Sequence, residues 1–299
     1  MKAVQMFRGA LILAACAMPP SLNAQERSAC NLRFAEDSLT VNLFATSVGH
    51  SQRAIGDSNI RVRVAETGEQ SGTCRADLRL SRLNSDQRFP DYLFTIRGRA
   101  VRASIAETVG SAENQFLVTI PKKSTGQTFP LQIAAPTEWG IQSGQYVEQL
   151  QLSLVNDRGE VMDRLPLNLV LDIPKTVDVM FVGATGTGQT STINLGDLSQ
   201  TEETRSLPFG VKIWSTSNYA FGFSSENNGR LLHREGRDAI PYELRMDNRR
   251  VPLDDGANFS SSGQSERNGD IYRLRVAVPP RRSVAGRYQD RVTVTVSAL

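Results

Sequence analysis

Short stretches of alternating apolar and polar residues run along almost the whole chain, and they predict β-strands. In AGRYQDRVTVTVSAL, residues 285–299, three valines at 292, 294 and 296 fall on one side of a period-2 pleat, while Arg291, Thr293 and Thr295 fall on the other. Residues 74–80 separate apolar and charged side chains in the same way. No convincing helical periodicity is found. Many short strands at this spacing predict β-sandwiches.

The predicted strands form two series, separated by a break at residues 173–175. The first series covers residues 39–44, 59–64, 74–80, 92–97, 116–120, 129–134, 146–154 and 165–171. The second covers residues 177–182, 191–195, 209–214, 219–223, 242–246, 271–278 and 288–296. We therefore expect an all-β chain with two tandem immunoglobulin-like β-sandwich domains, residues 25–174 and 175–299.

Residues 1–24 predict a secretory signal peptide. Lys2 and Arg8 precede an apolar run, and a small residue, Ala24, ends the segment. The sequence ending at Cys16 also resembles a lipobox, whose cysteine would be lipidated. Because the apolar run before Cys16 is short, cleavage after Ala24 is favoured. The mature chain is then expected to enter an oxidising compartment.

Cysteine and charge content agree with export. Cleavage leaves Cys30 and Cys74, and in an oxidising compartment a disulfide between them is favoured over two free thiols. The chain has 34 basic and 31 acidic residues, a balance that gives no general argument for a nucleic-acid partner.

Catalytic motifs are weak in this sequence. GATGTGQT at 183–190 nearly fits a phosphate-binding loop, but Gln189 stands where a lysine is required, so a flexible hairpin loop is favoured. The two histidines, His50 and His233, are not spaced as metal ligands or beside a catalytic partner. We expect no enzymatic activity, no cofactor and no metal.

Two segments 142 residues apart repeat one pattern. SGQYVEQLQLSLV at 143–155 and the segment from residue 285 share a glycine, a tyrosine two residues later, an acid and three alternating aliphatic residues. The first copy continues into the turn at 156–159 and another apolar strand, whereas the sequence stops three residues after Val296. We expect the second domain to lack its final strand, which leaves backbone groups unpaired and a hydrophobic groove open.

Residues 192–248, with the closing segment, resemble the pilin-type domain shared by spore coat protein U-like proteins and subunits of archaic chaperone-usher pili. The matching elements are Leu195-Gly196, Ser217-Asn218-Tyr219, Asn228-Gly229-Arg230-Leu231, Ile240-Pro241-Tyr242 and Gly286-Xaa-Tyr288. In the first domain only Cys30-Asn31-Leu32 and the strand with Gly144 and Tyr146 match.

This resemblance implies completion of the second domain in trans. A periplasmic chaperone would first insert a strand, and at the outer-membrane usher the N-terminal extension of the adjacent pilin subunit would replace it. We place Val292, Val294 and Val296 on one side of this donor-strand groove. Val177, Val179 and Phe181 are placed on the other, although Met180 and Val182 leave the facing of that strand open.

The position in a pilus follows from the same comparison. Residues 25–29 are too few to serve as a donor extension, so the chain is expected to accept a strand at the tip of a cell-surface pilus, as a two-domain adhesin. Its unidentified surface or receptor would face the distal loops. These candidate loops contain Lys122, Lys123, Asn156 and Asp157, whereas Trp139 should lie near the domain junction.

Two other interpretations stay open. The chain could be a secreted spore-coat-U-like structural protein that self-assembles by strand exchange. It could also be a sandwich-type periplasmic chaperone, although a chaperone has no need of an incomplete second domain. The sequence alone does not separate the pilus-tip adhesin from the spore-coat-like structural protein.

Overall fold

A computed structural model describes residues 30–45, 47–49, 53–56, 60–68, 72–84, 89–103, 113–121, 124–185, 190–253 and 257–299. The predicted signal peptide, with Cys16, lies outside the described residues. Every regular element among these described residues is a β-strand, which confirms the all-β prediction. Among the described residues, no helix has the length and apolarity that a bilayer crossing would need.

In the N-terminal half, the described residues between 30 and 173 form eleven strands in one continuous sheet. The strands are β1 (Leu32–Phe34), β2 (Leu39–Phe44), β3 (Arg53–Gly56), β4 (Arg61–Glu66), β5 (Cys74–Asn84), β6 (Leu93–Ile96), β7 (Arg99–Val101), β8 (Gln115–Ile120), β9 (Gly126–Pro136), β10 (Gly144–Val155) and β11 (Val161–Ile173). Their main order is β1-β4-β9-β3-β2-β11-β10-β5-β8, and the hairpin of β6 and β7 pairs with β9.

In the C-terminal half, the residues that the structure describes between 177 and 299 form twelve strands in three sheets. They are β12 (Val177–Val182), β13 (Thr204–Arg205), β14 (Phe209–Ser215), β15 (Tyr219–Ser225), β16 (Arg230–His233), β17 (Ala239–Pro241), β18 (Glu243–Met246), β19 (Arg249–Val251), β20 (Ala257–Ser261), β21 (Asp270–Val278), β22 (Tyr288–Gln289) and β23 (Val292–Ala298). The sheets run β12-β14-β21-β18-β19, with β13 on β21, then β20-β15-β23 and β17-β16-β22.

Each half has its own hydrophobic core. The first cluster draws on residues from Leu32 to Ile173 and the second on residues from Val177 to Val296. The alternation that predicts the strands also fills these cores: in β11 the five apolar residues at alternate positions from Leu165 to Ile173 are buried, while Pro166 is exposed. The immunoglobulin-like assignment and the domain boundaries of 25–174 and 175–299 stay predictions.

Strand pairings repeat between the halves. In the first half, β5 pairs with β8 and β10, and β9 pairs with β4 and β6. In the second half, β15 pairs with β20 and β23, and β21 pairs with β14 and β18. The hairpins of β6 with β7 and of β18 with β19 also correspond. The sequence repeat therefore marks a wider structural repeat, in which β10 corresponds to β23.

Two strand predictions were wrong. Residues 191–195 form no strand, and the only ladder contact there is an isolated bridge between Thr185 and Thr192. The strand predicted at 288–296 is broken at Asp290 and Arg291, where the chain passes from its pairing with β16 to its pairing with β15 in another sheet. Of the loop at 183–190, residues 186–189 lie outside the described part of the chain.

Candidate strand-acceptor site

Two strands of the C-terminal half each have one partnered and one open edge. β12 pairs antiparallel with β14, from Val177 opposite Ser215 to Val182 opposite Gly210. β23 pairs antiparallel with β15, from Val292 opposite Ser225 to Ala298 opposite Tyr219. Among the described residues no strand pairs with the second edge of either one. Both edges therefore present backbone donors and acceptors that a further strand can use.

The six predicted groove residues all lie beside the second core. Val177, Val179 and Phe181 pack against it, whereas the side chain of Met180 between them is exposed. The valines at 292, 294 and 296 also pack against this core. All six side chains are only partly buried. The two rows therefore form an incompletely covered apolar margin.

The two rows are close together without pairing. Some Cα atoms of β12 and β23 lie within 8 Å of each other, yet no ladder joins the strands. A strand paired on both sides needs its neighbours about 9.5 Å apart, since adjacent strands are spaced by about 4.8 Å. Insertion of a strand thus requires β12 and β23 to separate slightly where they approach most closely.

The N-terminal half has a strand where the C-terminal half has an open edge. There β11 pairs antiparallel with β10 on one side and parallel with β2 on the other. Leu150, Leu152 and Leu154 of β10 are fully buried beneath this arrangement, at 0% exposure. Their counterparts in β23, at 292, 294 and 296, are only half-buried. The difference is what removal of one covering strand would produce.

The repeated glycine and tyrosine form the same corner in both halves. The Tyr146 hydroxyl donates to the Gln142 carbonyl at 2.7 Å, and the Tyr288 hydroxyl donates to the Val284 carbonyl at the same distance. Gly144 and Gly286 have φ of 140° and 156°, where other residues are strained. Each tyrosine thus ties the start of its strand to the preceding loop, as in the tyrosine corner of sandwich folds.

The acid two residues after each corner tyrosine binds a second tyrosine. Asp290 accepts hydrogen bonds from the Tyr242 hydroxyl at 2.6 Å and the Ser225 hydroxyl at 2.5 Å. Burial is the largest cause that raises the pKa of Tyr242, and the bond to the Asp290 carboxylate raises it further. This carboxylate holds β15 and the segment before β18 against the start of β23.

The same arrangement occurs in the N-terminal half. Glu148, at 1% exposure, accepts from the Tyr92 hydroxyl and pairs with Arg82, both at 3.2 Å. Burial, followed by the negative charge of Glu148, raises the pKa of Tyr92. Sequence reasoning missed these pairs. The signal was present, because Tyr92 and Tyr242 stand 150 residues apart, each one or two residues after a proline and before a hairpin.

The other predicted residues are distributed as follows. Cys30 and Cys74 form a disulfide, with Cα atoms 5.7 Å apart, which confirms that prediction. Glu66 lies beside the two sulfur atoms, which are bonded to each other in the disulfide. Asn156 and Asp157 lie in the turn that joins β10 to β11, where the Asn156 side chain accepts from the Arg158 and Glu160 amides. Lys122 and Lys123 lie outside the described residues.

The two halves meet through the loop before β10, where Trp139 was expected. Its ring stacks on Trp214 with centroids 6.5 Å apart. Glu138 forms an ion pair with Arg267, and the Ser143 amide donates to the Thr216 carbonyl at 2.6 Å. The turn with Asn156 and Asp157 is at the other end of β10, opposite this junction.

Comparisons with known proteins give distant structural matches. No family model and no curated protein sequence matches the chain. The complex of CsuC with the tip adhesion subunit CsuE, from archaic chaperone-usher Csu pili of Acinetobacter baumannii, is similar over 90% of this chain and 99% of the matched chain, with 12% identity and a TM-score of 0.42.

Two further matches have similar coverage. A mutant form of the CFA/I adhesin CfaE from enterotoxigenic Escherichia coli matches 88% of this chain and 93% of its own, at 10% identity and a TM-score of 0.37. The CupB6 tip adhesin of Pseudomonas aeruginosa matches 89% and 95%, at 12% identity and a TM-score of 0.34. At these values the function has to be argued from the residues of this chain.

Proposed function

We propose that this protein is an exported subunit of a chaperone-usher pilus whose C-terminal half accepts a donor strand. The observation that supports it is the pair of open edges, β12 and β23, beside a partly covered core. In the N-terminal half, β11 pairs with β10, the counterpart of β23, and so fills the edge that is open in β23. The donor would come first from a periplasmic chaperone and then, at the usher, from the adjacent subunit.

The N-terminal half is proposed to be the adhesive half at the pilus tip. It has its own strand β11, so it needs no partner to complete its sheet. Its pole opposite the junction, with the turn at 156–159, would be free to meet a surface or receptor. The tip position, the spore-coat-U-like resemblance and the identity of that surface belong to the proposal.

The test uses the sequence of β11 as a donor. A synthetic peptide of residues 163–173 is added to the full chain, and hydrogen exchange is followed at the amides of Val292–Ala298. We expect the alternate amides that face away from β15 to become protected, because the peptide supplies the missing ladder on that edge. The peptide also buries several leucines, each worth about 1.5–3 kcal/mol. A control peptide carries serine at positions 165, 167, 169 and 171, and it should give no protection.

Absence of protection with the leucine peptide would contradict the acceptor function. A second measurement addresses self-assembly. We expect the purified chain to sediment as a monomer without the peptide. A homo-oligomer in which Val292–Ala298 is already protected would instead favour the structural, spore-coat-like function.

A further inference from the structure

We propose that the pole of the C-terminal half formed by residues 233–238 and 279–287 docks an acidic surface on the adjacent subunit that donates the strand. This inference rests on the proposed acceptor function. It adds a second contact, outside the groove, and specifies the charge of the partner there. We call these residues the arginine pole.

The junction between the two halves supplies the template. Strand β11 ends at Ile173, opposite Gly144, and the chain then passes through three residues into β12. The loop before Gly144 contacts the half that follows, through Trp139 on Trp214 and Glu138 with Arg267. In this junction β11, the strand that completes the sheet of the N-terminal half, leads directly into the C-terminal half. The loop beside the end of β11 contacts that C-terminal half.

The arginine pole is the equivalent loop of the second half. Residues 279–285 precede Gly286 as 137–143 precede Gly144, and the two tyrosine corners fix the correspondence. β15 starts beside the junction at Tyr219 and ends at Ser225, which is opposite Val292. The start of β23, and with it the arginine pole, therefore lies at the end away from the N-terminal half.

Positive charge dominates this pole. It holds five arginines, at 234, 237, 281, 282 and 287, all exposed, against two carboxylates, Glu235 and Asp238. Arg237 pairs with Glu235 at 2.8 Å, and Arg281 lies 3.8 Å from Asp238. No ion pair within the described residues engages Arg234, Arg282 or Arg287.

The two segments of the pole are fastened to each other. Asp238 accepts from the Tyr288 hydroxyl at 3.1 Å and from the Val284 amide at 3.4 Å, and the Arg234 amide donates to the Arg287 carbonyl at 2.8 Å. The arginines therefore project from a braced surface. At the junction between the halves, the loop residue Glu138 pairs with Arg267 of the half that it contacts. The equivalent loop of the arginine pole is cationic, so an acidic partner surface would complement it. The exposed side chain of Val284, at 47%, suits a protein surface.

The experiment adds charged tails to the donor peptide. Residues 163–173 are extended at the C-terminus with glycine and four aspartates, or with glycine and four asparagines, and affinity for the full chain is measured by titration calorimetry. A donor antiparallel to β23, like β11 against β10, brings this tail to the arginine pole. We expect the aspartate peptide to bind about fivefold tighter at low salt, with the difference lost at high salt.

Matched variants locate the effect. The double substitution Arg282→Ser and Arg287→Ser should reduce the advantage of the aspartate tail, whereas Arg249→Ser with Arg273→Ser, away from the pole, should leave it unchanged. Equal affinity of the two tailed peptides would overturn the docking inference while leaving the acceptor function standing. Failure of both to bind would overturn the acceptor function. If a peptide of glycine and four aspartates without residues 163–173 binds as tightly as the tailed donor, the pole is a general polyanion site and the inference is overturned.

Discussion

At the residue scale, the corner glycines carry a constraint that differs between the two halves. A Cβ on Gly286 would lie 2.0 Å from Nε2 of His233, whereas a Cβ on Gly144 would meet nothing within 4 Å. Both residues have positive φ. An alanine at position 286 would therefore suffer both backbone strain and a clash with His233, whereas an alanine at position 144 would suffer backbone strain alone.

We expect Gly286→Ala to lower the free energy of unfolding by about 2–3 kcal/mol and Gly144→Ala by about 1 kcal/mol. Urea denaturation of each variant against the unsubstituted protein measures both values. Equal losses would contradict the contact with His233.

A second prediction at this scale concerns alkaline pH. Burial and hydrogen bonds to Asp290 raise the pKa of Tyr242, so its neutral form is favoured in the folded state. This stabilisation is fully present below the unfolded pKa of about 10 and is lost as pH rises beyond it, because only the unfolded tyrosine then ionises.

Free energies of unfolding should therefore decline above about pH 10. In the Tyr242→Phe variant, which is less stable at neutral pH, the decline should be smaller. Denaturant titrations between neutral and alkaline pH test this, and identical slopes for the two proteins would contradict it.

Residue-level prediction from sequence succeeded where neighbours along one strand decide the outcome. The valines at 292, 294 and 296 face the core because alternation fixes their side of the pleat. The bond between Tyr242 and Asp290 was missed, because 48 residues separate them and only tertiary folding brings them together.

At the element scale, the strands long enough to show alternation were predicted well. β2 and β12 begin and end where the pattern places them. Short strands such as β13 and β22, with two residues each, carry no periodicity and were missed or merged with neighbours. Their positions depend on pairing partners elsewhere in the chain.

The groove face of β23 gives the prediction at this scale. Val294→Thr places a hydroxyl where the donor strand would cover an apolar side chain, and we expect about tenfold weaker binding of the 163–173 peptide. Thr293→Val, one residue away on the exposed face, is the matched control and should leave affinity unchanged. A loss in the control equal to that in Val294→Thr would argue against a groove on this face.

At the scale of the whole molecule, the corresponding strands β10 and β23 differ in their neighbours: β10 pairs with β5 and β11, whereas β23 pairs only with β15 among the described residues. The internal repeat in the sequence indicated this, because one copy continues into a further apolar strand. The arginine pole could not be predicted in the same way. Its arginines come from segments about fifty residues apart, and the bonds of Asp238 with Val284 and Tyr288 bring them together.

The most direct test grafts the missing strand into the chain itself. By the repeat, Val155 corresponds to Ser297, so residues 156–173 are placed after Ser297 in exchange for the last two residues. A matched graft carries serine for the leucines at 165, 167, 169 and 171. We predict that the leucine graft protects those amides of Val292–Ser297 that face away from β15 and raises the melting temperature of the C-terminal half by about 10 °C or more, and that the serine graft does neither. An unchanged melting temperature and unprotected amides with the leucine graft would contradict the open groove on which the account rests.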